Sequence, residues 1–509
     1  MKIGIIGAGP AGITAAYRLA KENIEVDVYE ASDAVGGMAK TIELWNQKVD
    51  LGPHRFFSSD PRVNEVWLET VGSDYDMVNR LTRIYYKNKF FYYPLKPLNA
   101  LTRLGVLEAA NCVLSFAKQN VFGQKADSQP EADNFESWVV KRFGRRLFEI
   151  FFKTYSEKLW GIGCDELDSD FAAQRIKKLS LTEAIKSAIL GNKGNKHKTL
   201  VDTFAYPHAG SGVVYERMAD TVKESGGNVY CETPVRRVCT ENGKVTGIEL
   251  MNGEFRAYDR IISTMPLTRM VSQLPEVPET VTNSVSQLKF RNTILVFLKV
   301  EAIDLFPDNW LYIHADNLQT GRITNFRNWS PNLYGEEKNS ILALEYWCYD
   351  ADENWTSDNE KLIALATEEI RKTGLIGDAQ VSAGHVHRVK NCYPVYNCGY
   401  KESLKPVEAY LKTIENLDVI GRYGAFKYNN QDHSILMGIL AAENIAHGTN
   451  HNLWEINTDY EYQESAEISE TGLEKTTPRT KKWALSGFAS LKNNKTASSQ
   501  VEEQVSVAK

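Results

Sequence analysis

The sequence lacks the features that mark membrane-spanning, disulfide-stabilised and nucleic-acid-binding proteins. No stretch approaches the roughly 18 consecutive apolar residues of a membrane span, and we expect none. The seven cysteines form no Cys-x-x-Cys pair, which indicates reduced thiols rather than a disulfide frame or a metal site. Lys and Arg total 59 against 65 Asp and Glu, and this net charge of −6 predicts no nucleic-acid partner. The first residues form a strand pattern without a secretory leader, so we expect a cytoplasmic location.

The clearest motif is a glycine-rich turn near the N-terminus. Residues 3–6 form an apolar strand, and an Ala-rich helix follows it. The turn between them contains Gly7, Gly9 and Gly12, which permit a tight turn, the approach of a pyrophosphate and close packing of helix on strand. A second alternating strand leads into Glu30, where a carboxylate can bind ribose hydroxyls. The motif therefore predicts a dinucleotide bound at the N-terminus of the helix.

A second glycine pair, Gly36 and Gly37, follows this strand and allows another close approach to the backbone. The extension resembles the glutathione-reductase-like flavoproteins, which include amine oxidases, protoporphyrinogen oxidases and UDP-galactopyranose mutases. The segment 233–238 resembles the part of that fold that returns to the adenine. The resemblance implies that the cofactor is FAD and that Val238 is among its contacts.

A distant segment resembles the part of the same fold that closes around the flavin. Gly421 and Arg422 precede a helix that opens near residues 433–434, and its N-terminus would favour the negative charge of a reduced flavin. Asn430 stands where the mutases have an acid beside the flavin. The resemblance implies that these residues bind FAD, which acts in its reduced form after reduction by NAD(P)H or another external reductant.

The patterns along the chain predict an α/β fold with three parts. These are a Rossmann-type FAD-binding domain built from discontinuous segments (1–75, 200–270 and 390–455), a helical insertion (76–199) and an antiparallel-sheet substrate domain (271–389). Residues 456–509 are rich in Glu, Ser, Thr and Lys, which predicts a disordered tail. Within this tail, residues 481–492 have the pattern of a short basic amphipathic helix that could weakly contact a membrane surface or a partner.

An aromatic segment in the helical part is the first candidate for binding a substrate. Phe151 and Tyr155 are one helical turn apart, so their rings share a face and could hold a flat base between them. Trp160 would lie at the end of this helix beside the cofactor. The alternative is that these side chains form an ordinary aromatic stripe in the core.

The Tyr-x-Glu-Lys-x-Trp-Gly spacing of this segment resembles the substrate-binding helix of UDP-galactopyranose mutases. Other segments follow in that family's order: the Gly-x-His motif near the flavin (His54), two diphosphate-binding arginines (Arg175 and Arg322), and the tyrosines of the C-terminal motifs (Tyr393 and Tyr428). The resemblance implies catalytic roles for the histidine and both arginines and phosphate contacts for the tyrosines. For each residue alone, an ordinary structural role remains an alternative.

The resemblance spans about residues 1–450 and implies a redox-neutral ring contraction of a nucleotide sugar such as UDP-galactose, in polysaccharide synthesis. In that reaction, reduced flavin attacks the anomeric carbon and the nucleoside diphosphate leaves. The diphosphate returns once the sugar ring has reclosed through another hydroxyl. Paired arginines can hold the diphosphate in the meantime. A homodimer is a possible assembly.

Two other functions remain open at this point. One is an FAD-dependent oxidoreductase of the amine oxidase or protoporphyrinogen oxidase type, which would need a hydrophobic or amine-binding cavity. The other is a flavin-binding scaffold that docks a partner or a membrane through its tail. The arginines argue against the first, and an enzyme that keeps its turnover after deletion of the tail would exclude the second.

Overall fold

The computed structural model describes residues 1–95, 97–123, 134–170 and 203–456. The predicted tail helix at 481–492 lies outside these ranges, and its role stays a prediction. Within the described ranges, no helix is long and apolar enough to cross a membrane.

The chain begins with a β–α–β unit, and short strands follow. The elements are β1 (Lys2–Ile6), α1 (Pro10–Lys21), β2 (Glu25–Tyr29), β3 (Thr41–Leu44), β4 (Gln47–Asp50), α2 (Pro61–Val71), β5 (Tyr75–Asn79), β6 (Thr82–Tyr86) and β7 (Lys89–Tyr92). Proline suits the first position of α1, because a backbone N–H there would have no partner within the helix.

A helical part follows, and the chain then returns to alternating strands and helices. The helical elements are α3 (Pro97–Leu104), α4 (Val106–Gly123), α5 (Phe135–Phe143), α6 (Arg145–Phe148), a π-helical turn (Glu149–Lys153) and α7 (Thr154–Trp160). The elements after them are β8 (Thr203–Pro207), α8 (Gly212–Glu224), β9 (Asn228–Tyr230), β10 (Val235–Glu241), β11 (Lys244–Leu250), β12 (Phe255–Ala257), β13 (Arg260–Ser263), α9 (Leu267–Ser272) and α10 (Glu279–Gln287).

The last part of the described chain contains the longest strands. Its elements are β14 (Phe290–Val300), β15 (Trp310–Ile313), β16 (Arg322–Asn325), β17 (Ser340–Cys348), α11 (Glu353–Thr356), α12 (Asn359–Lys372), β18 (Val381–Pro394), α13 (Tyr400–Leu411), β19 (Leu417–Val419), α14 (Gly421–Gly424) and α15 (Gln431–Ala446).

A five-stranded parallel sheet forms the dinucleotide-binding layer. Its order is β19-β13-β1-β2-β9, so its strands come from the beginning, the middle and the end of the chain. Helices α1 and α15 pack closely against each other because residue 438 is a glycine. The α/β fold with a Rossmann-type layer built from discontinuous segments is confirmed.

A seven-stranded sheet forms the second layer, in the order β18-β14-β17-β16-β15-β6-β7. Its neighbouring strands are antiparallel except for the parallel pair of β15 and β6. Strands β14 and β17 are buried along nearly their whole length, because both lie in the interior of the sheet. The predicted antiparallel sheet is therefore present.

Residues 75–92 differ from the helical pattern predicted from about residue 76. They form three strands, and two of these strands extend the seven-stranded sheet. The turn between β6 and β7 contains Lys87 and Asn88, both with positive φ (+47° and +58°), as in a two-residue hairpin turn. Lysine is an unusual residue for such a turn, so the sequence carried only a weak signal for the hairpin.

The contact between α1 and α15 gives a test of the fold. A Cβ atom on Gly438 would lie 2.5 Å from the carbonyl oxygen of Ala11, which is a backbone atom that cannot rotate away. We expect Gly438→Ala to lower the free energy of unfolding by about 1–3 kcal/mol, measured by denaturant titration. Gly163→Ala is the control, because its Cβ would meet only the flexible side chains of Asp165 and Glu166. Equal stability of the two variants would contradict the prediction.

Candidate active site

The turn between β1 and α1 has the geometry of a phosphate cradle. Gly7 has a φ of +92°, and its N–H donates to the carbonyl oxygen of Tyr29 (2.8 Å). A Cβ on Gly12 would overlap the carbonyl oxygen of Gly7, so glycine is required where the helix meets the strand. Gly9 precedes α1 and faces Gly37, whose added Cβ would lie 3.0 Å from the Gly9 Cα. No side chain caps this helix and its first turn has no acid, which leaves its N–H groups available to an anion.

The predicted ribose-binding carboxylate lies beside this turn. Glu30 accepts hydrogen bonds from the N–H of Ala8 (2.8 Å) and from the N–H and hydroxyl of Ser32 (2.9 and 2.8 Å). Gly36, with a φ of +101°, donates its N–H to the carbonyl oxygen of Ala8 (2.8 Å). Because each carboxylate oxygen can accept more than one hydrogen bond, Glu30 can still receive ribose hydroxyls. These residues fit the adenosine diphosphate half of FAD.

The closing segment packs against the start of α1. Gly421 has a φ of +84°, and a Cβ there would lie 3.1 Å from the Cβ of Ala11. Asn430 caps α15 with its side chain, while its own N–H donates to Nδ1 of His433 (3.4 Å). The helix begins at Gln431, two to three residues before the start that the sequence predicts, and its dipole can favour negative charge on a flavin.

His54 is the centre of a positively charged region. Burial, together with the charges of Arg322 and Arg422, lowers its pKa to about 3, so the imidazole is neutral near pH 7. A Cβ on Gly52 would lie 3.6 Å from Cε1 of His54 and 3.8 Å from Nη2 of Arg322, so both side chains lie against Gly52. Among the described residues, the buried Nδ1 of His54 has no hydrogen-bond partner.

Arg322 is held by a buried carboxylate. Its Nε and Nη2 donate to the two carboxylate oxygens of Glu345 (2.6 and 2.5 Å), and the two residues are paired across β16 and β17. Burial opposes the charge of Arg322, but Glu345 keeps the pKa of the guanidinium well above its ordinary value. The side chain of Glu345 is 2% exposed and that of Arg322 is 16% exposed. Since the pair uses two of five N–H donors, three remain for a ligand.

Arg422 lies in a second cluster with three aromatic rings. Its guanidinium carbon is 4.5 Å from the ring centroid of Tyr393 and 4.6 Å from that of Tyr428, as in cation–π contacts. The two tyrosine rings stack at 5.5 Å, and Trp160 lies 5.7 Å from Tyr428. Nη1 of Arg422 donates to the carbonyl oxygen of Asn429 (3.2 Å), while its buried Nε and Nη2 have no partner among the described residues.

Tyr155 joins α7 to the strands that carry Arg322. Its ring stacks on His314 (5.1 Å) and meets Tyr312 (5.3 Å) and Trp347 (5.7 Å) edge to face. Burial raises the pKa of Tyr155 well above its ordinary value, although the charge of Arg322 opposes the shift. The hydroxyl therefore stays protonated and remains a hydrogen-bond donor.

Two predicted residues are not brought to these clusters, and a third lies outside the described residues. Phe151 is 3% exposed and packs edge to face on Phe91 (5.1 Å), so it has different neighbours from Tyr155 and belongs to the core. This corrects the predicted pair of rings, and the π-helical turn that contains Phe151 alters the spacing on which the pair depended. Val238 has a buried side chain in β10, which leaves only its backbone to contact a cofactor. Arg175 lies outside the described residues, and its role stays a prediction.

Two functional residues are missing from the sequence-based prediction. Lys158 donates from Nζ to the carbonyl oxygens of Ile313 (3.2 Å), Ala315 (2.6 Å) and Thr320 (3.4 Å), and burial lowers its pKa to about 8. It thereby fixes the loop that leads into Arg322. The other residue is Glu345, which is the one charged residue in β17. A single charge in an otherwise apolar strand is a sequence signal that could have identified it.

The remaining points concern metal ligands and the predicted cofactor contact of Arg422. Among the described residues, no group of three or more His, Cys, Asp or Glu side chains is placed to hold a metal ion. The predicted FAD contact of Arg422 stays a prediction, and its described contacts are with the tyrosine cluster and the carbonyl oxygen of Asn429.

Fold and site together define a dinucleotide-binding flavoprotein. Residues 10–446 match the family of flavin-containing amine oxidoreductases, and the chain belongs to this family. The membership implies FAD as the cofactor, which agrees with the fit of the glycine cradle and Glu30.

Individual relatives are named for two different reactions. Coproporphyrinogen III oxidase of Staphylococcus aureus is 22% identical over 87% of this chain and 98% of its own length. A protein of Klebsiella pneumoniae named as a UDP-galactopyranose mutase is 28% identical over 32% of this chain and 42% of its own length. A crystal structure of reduced UDP-galactopyranose mutase matches with a TM-score of 0.77 at 22% identity, over 88% of this chain and 94% of that chain. At this identity the structural likeness establishes the fold and leaves the reaction open.

The neutral state of His54 can be tested directly. We expect its ring to stay unprotonated at pH 5 in the FAD-bound protein, because burial and two neighbouring cations disfavour a further positive charge. Nuclear magnetic resonance of labelled histidine rings, assigned by comparison with His54→Gln, measures this. Since the unfolded chain takes up the proton near pH 6.5 and the folded chain does not, His54 should make the free energy of unfolding fall as the pH falls below 6.5, by up to about 1.4 kcal/mol per pH unit. His314, whose pKa burial also lowers to about 3, remains in the variant, so a smaller slope in His54→Gln isolates His54. Titration of His54 near pH 6.5 would contradict the prediction.

Proposed function

We propose that the protein is an FAD-dependent mutase that interconverts the pyranose and furanose forms of a nucleotide sugar resembling UDP-galactose. The supporting observation is the neutral His54 that lies under the charges of both Arg322 and Arg422. A diphosphate bound here would compensate the charge of Arg422 and accept hydrogen bonds from the donors of Arg322 that Glu345 does not use. We further propose that the reaction takes place in the cytoplasm and serves polysaccharide synthesis.

In this proposal the two arginines stabilise the diphosphate as it leaves the sugar. Arg322 offers three N–H donors beyond its pair with Glu345, and Arg422 offers its unpartnered Nε and Nη2. Donors that are already in position stabilise developing charge without reorganising, and they do so best where water is scarce. Reduced FAD, when bound, supplies the nucleophile for the anomeric carbon.

The tyrosines keep the cleaved diphosphate within reach for its return. Burial raises the pKa of Tyr393 although the charge of Arg322 opposes the shift, so its hydroxyl remains a donor. Tyr428 stacks on Tyr393, and Arg422 lies over both rings, so the three side chains hold one another in place. Retaining both fragments close together makes recombination effectively unimolecular.

His54 would respond to the charge of the ligand. An anion between the two arginines removes the repulsion that lowers the pKa of the imidazole, so binding should move that pKa upward. The imidazole could then take a proton at a ring nitrogen while the diphosphate is bound and release it when the diphosphate leaves.

A second candidate function is that of an FAD-dependent oxidoreductase. The match to coproporphyrinogen III oxidase favours it, because it extends over nearly the whole length of both chains. The buried Nε and Nη2 of Arg422, however, have no partner among the described residues, and an apolar or amine substrate would leave this charge uncompensated.

An anaerobic assay separates the two functions. We expect the purified flavoprotein to interconvert UDP-galactopyranose and UDP-galactofuranose when dithionite has reduced the flavin, and to be inactive when the flavin is oxidised. Chromatography of the two nucleotide sugars is the measurement. A response of flavin fluorescence to UDP without conversion would retain the nucleotide site and reject this sugar. Neither conversion nor a response to UDP would overturn the proposal in favour of the oxidoreductase.

Arg422 gives a second test, at the level of binding. We expect Arg422→Gln to weaken UDP binding by about 10- to 100-fold, because each charge-assisted hydrogen bond contributes about 1.5–3 kcal/mol. Titration calorimetry on the FAD-bound protein measures the affinity. The matched control is Arg371→Gln, which removes an exposed positive charge at the end of α12. Equal UDP affinity of the two variants would remove Arg422 from the substrate site.

A further inference from the structure

Arg55, the residue after His54, carries a charge that the described protein does not compensate. Its Nη1 is buried, and its side chain makes no hydrogen bond or ion pair among the described residues. The nearby Arg80 has a buried Nε without a partner there, and the hydrogen bond of its Nη2 to the carbonyl oxygen of Tyr93 is long (3.4 Å). The two cations act on each other, since burial and then the charge of Arg80 lower the pKa of Arg55.

Two arginines of the seven-stranded sheet, Arg83 and Arg291, are by contrast paired with carboxylates. Arg83 donates to both carboxylate oxygens of Asp308 (2.8 and 2.5 Å), and Arg291 donates to Asp352 (3.3 Å) and to a backbone carbonyl. The carboxylate that acts on Arg55 is that of Asp432. Its Oδ1 lies 3.2 Å from Nδ1 of His433, and no ion pair joins it to Arg55 among the described residues. Two uncompensated guanidinium groups are costly to bury, unless an anion joins them.

Two tyrosines, Tyr312 and Tyr93, connect the arginine pair with the proposed diphosphate site. Tyr312, which lies close enough to influence the pKa of Arg55, is the cross-strand neighbour of Arg322. The rings of Tyr312 and Tyr93 lie 4.8 Å apart, and the carbonyl oxygen of Tyr93 is the acceptor for Arg80. His54 and Arg55 are consecutive in the chain, and Tyr312 lies close to both Arg55 and Arg322, so the arginine pair adjoins the proposed diphosphate site.

Because these uncompensated guanidinium groups lie beside the proposed diphosphate site, we infer that Arg55 and Arg80 bind a second anionic group of the substrate. This group is a carboxylate or a phosphate that is separate from the diphosphate. The inference rests on the proposed function and narrows its substrate class to nucleotide sugars that carry an acid, such as a uronic acid, or a further phosphate. Guanidinium groups bind both kinds of anion with paired N–H donors, whereas a neutral sugar would leave the two charges unmatched.

The test compares two ligands that differ in one carboxylate. We expect the FAD-bound protein to bind UDP-galacturonate at least about tenfold more tightly than UDP-galactose, in calorimetric titrations. In Arg55→Gln and Arg80→Gln this ratio should fall to about one, and in the exposed control Arg371→Gln it should stay as in the wild type. Both variants should fold, since neither removes an ion pair among the described residues, and retained FAD absorbance checks this.

A separate experiment with inorganic phosphate tests whether the second anionic group is a phosphate. Inorganic phosphate should raise the unfolding temperature of the wild type more than that of Arg55→Gln if the second group is a phosphate. A ratio near one in the wild type, together with equal effects of phosphate on both proteins, would overturn the inference and leave the proposed function intact. Failure of UDP itself to bind would overturn the proposed function, and the phosphate arm alone would then decide whether the arginine pair is an anion site. Loss of FAD from Arg55→Gln would overturn the inference by assigning the arginine to the cofactor.

Discussion

The ion pair between Arg322 and Glu345 is the interaction on which the arrangement of the site depends. Glu345 lies in the middle of a strand that is buried from end to end, with Leu295 opposite it on the neighbouring strand. A carboxylate in such a place is stable only when it is paired, and loss of its partner would cost about 3–5 kcal/mol. The pair therefore fixes the orientation of Arg322, which acts together with burial and Arg422 to lower the pKa of His54.

The positive charge of the site is distributed unevenly. Arg322 has a carboxylate of its own, whereas Arg422 is stabilised mainly by two aromatic rings and Arg55 by neither. Aromatic rings attract a cation without neutralising it, so Arg422 keeps its full charge for a ligand. The region as a whole favours an anion, although the family to which the chain belongs takes its name from amine chemistry. The fold accommodates both kinds of reaction, and the side chains in the cleft determine which of them occurs.

The features that the sequence predicts well are local ones. The glycine turn, Glu30 and the start of α15 are encoded within short segments whose spacing has a direct geometrical meaning. Glu345, Arg55 and Arg80 depend on which strands become neighbours, and nothing in a local pattern specifies that the isolated glutamate of β17 faces Arg322. Phe151 and Tyr155 fail for a related reason, because a π-helical turn alters a spacing that holds only in a regular α-helix. The strands in residues 75–92 were missed because a lysine occupies the hairpin turn.

The uncompensated charges also link the amount of folded protein to the supply of its ligand. An anion that binds only the folded chain stabilises it in proportion to the logarithm of its concentration, by about 2.7 kcal/mol at one hundred times the dissociation constant. Half-buried arginines without partners make the ligand-free chain less stable than its core would otherwise permit. The protein should consequently persist longest against proteolysis in cells that are making its substrate, and be removed fastest when that synthesis stops.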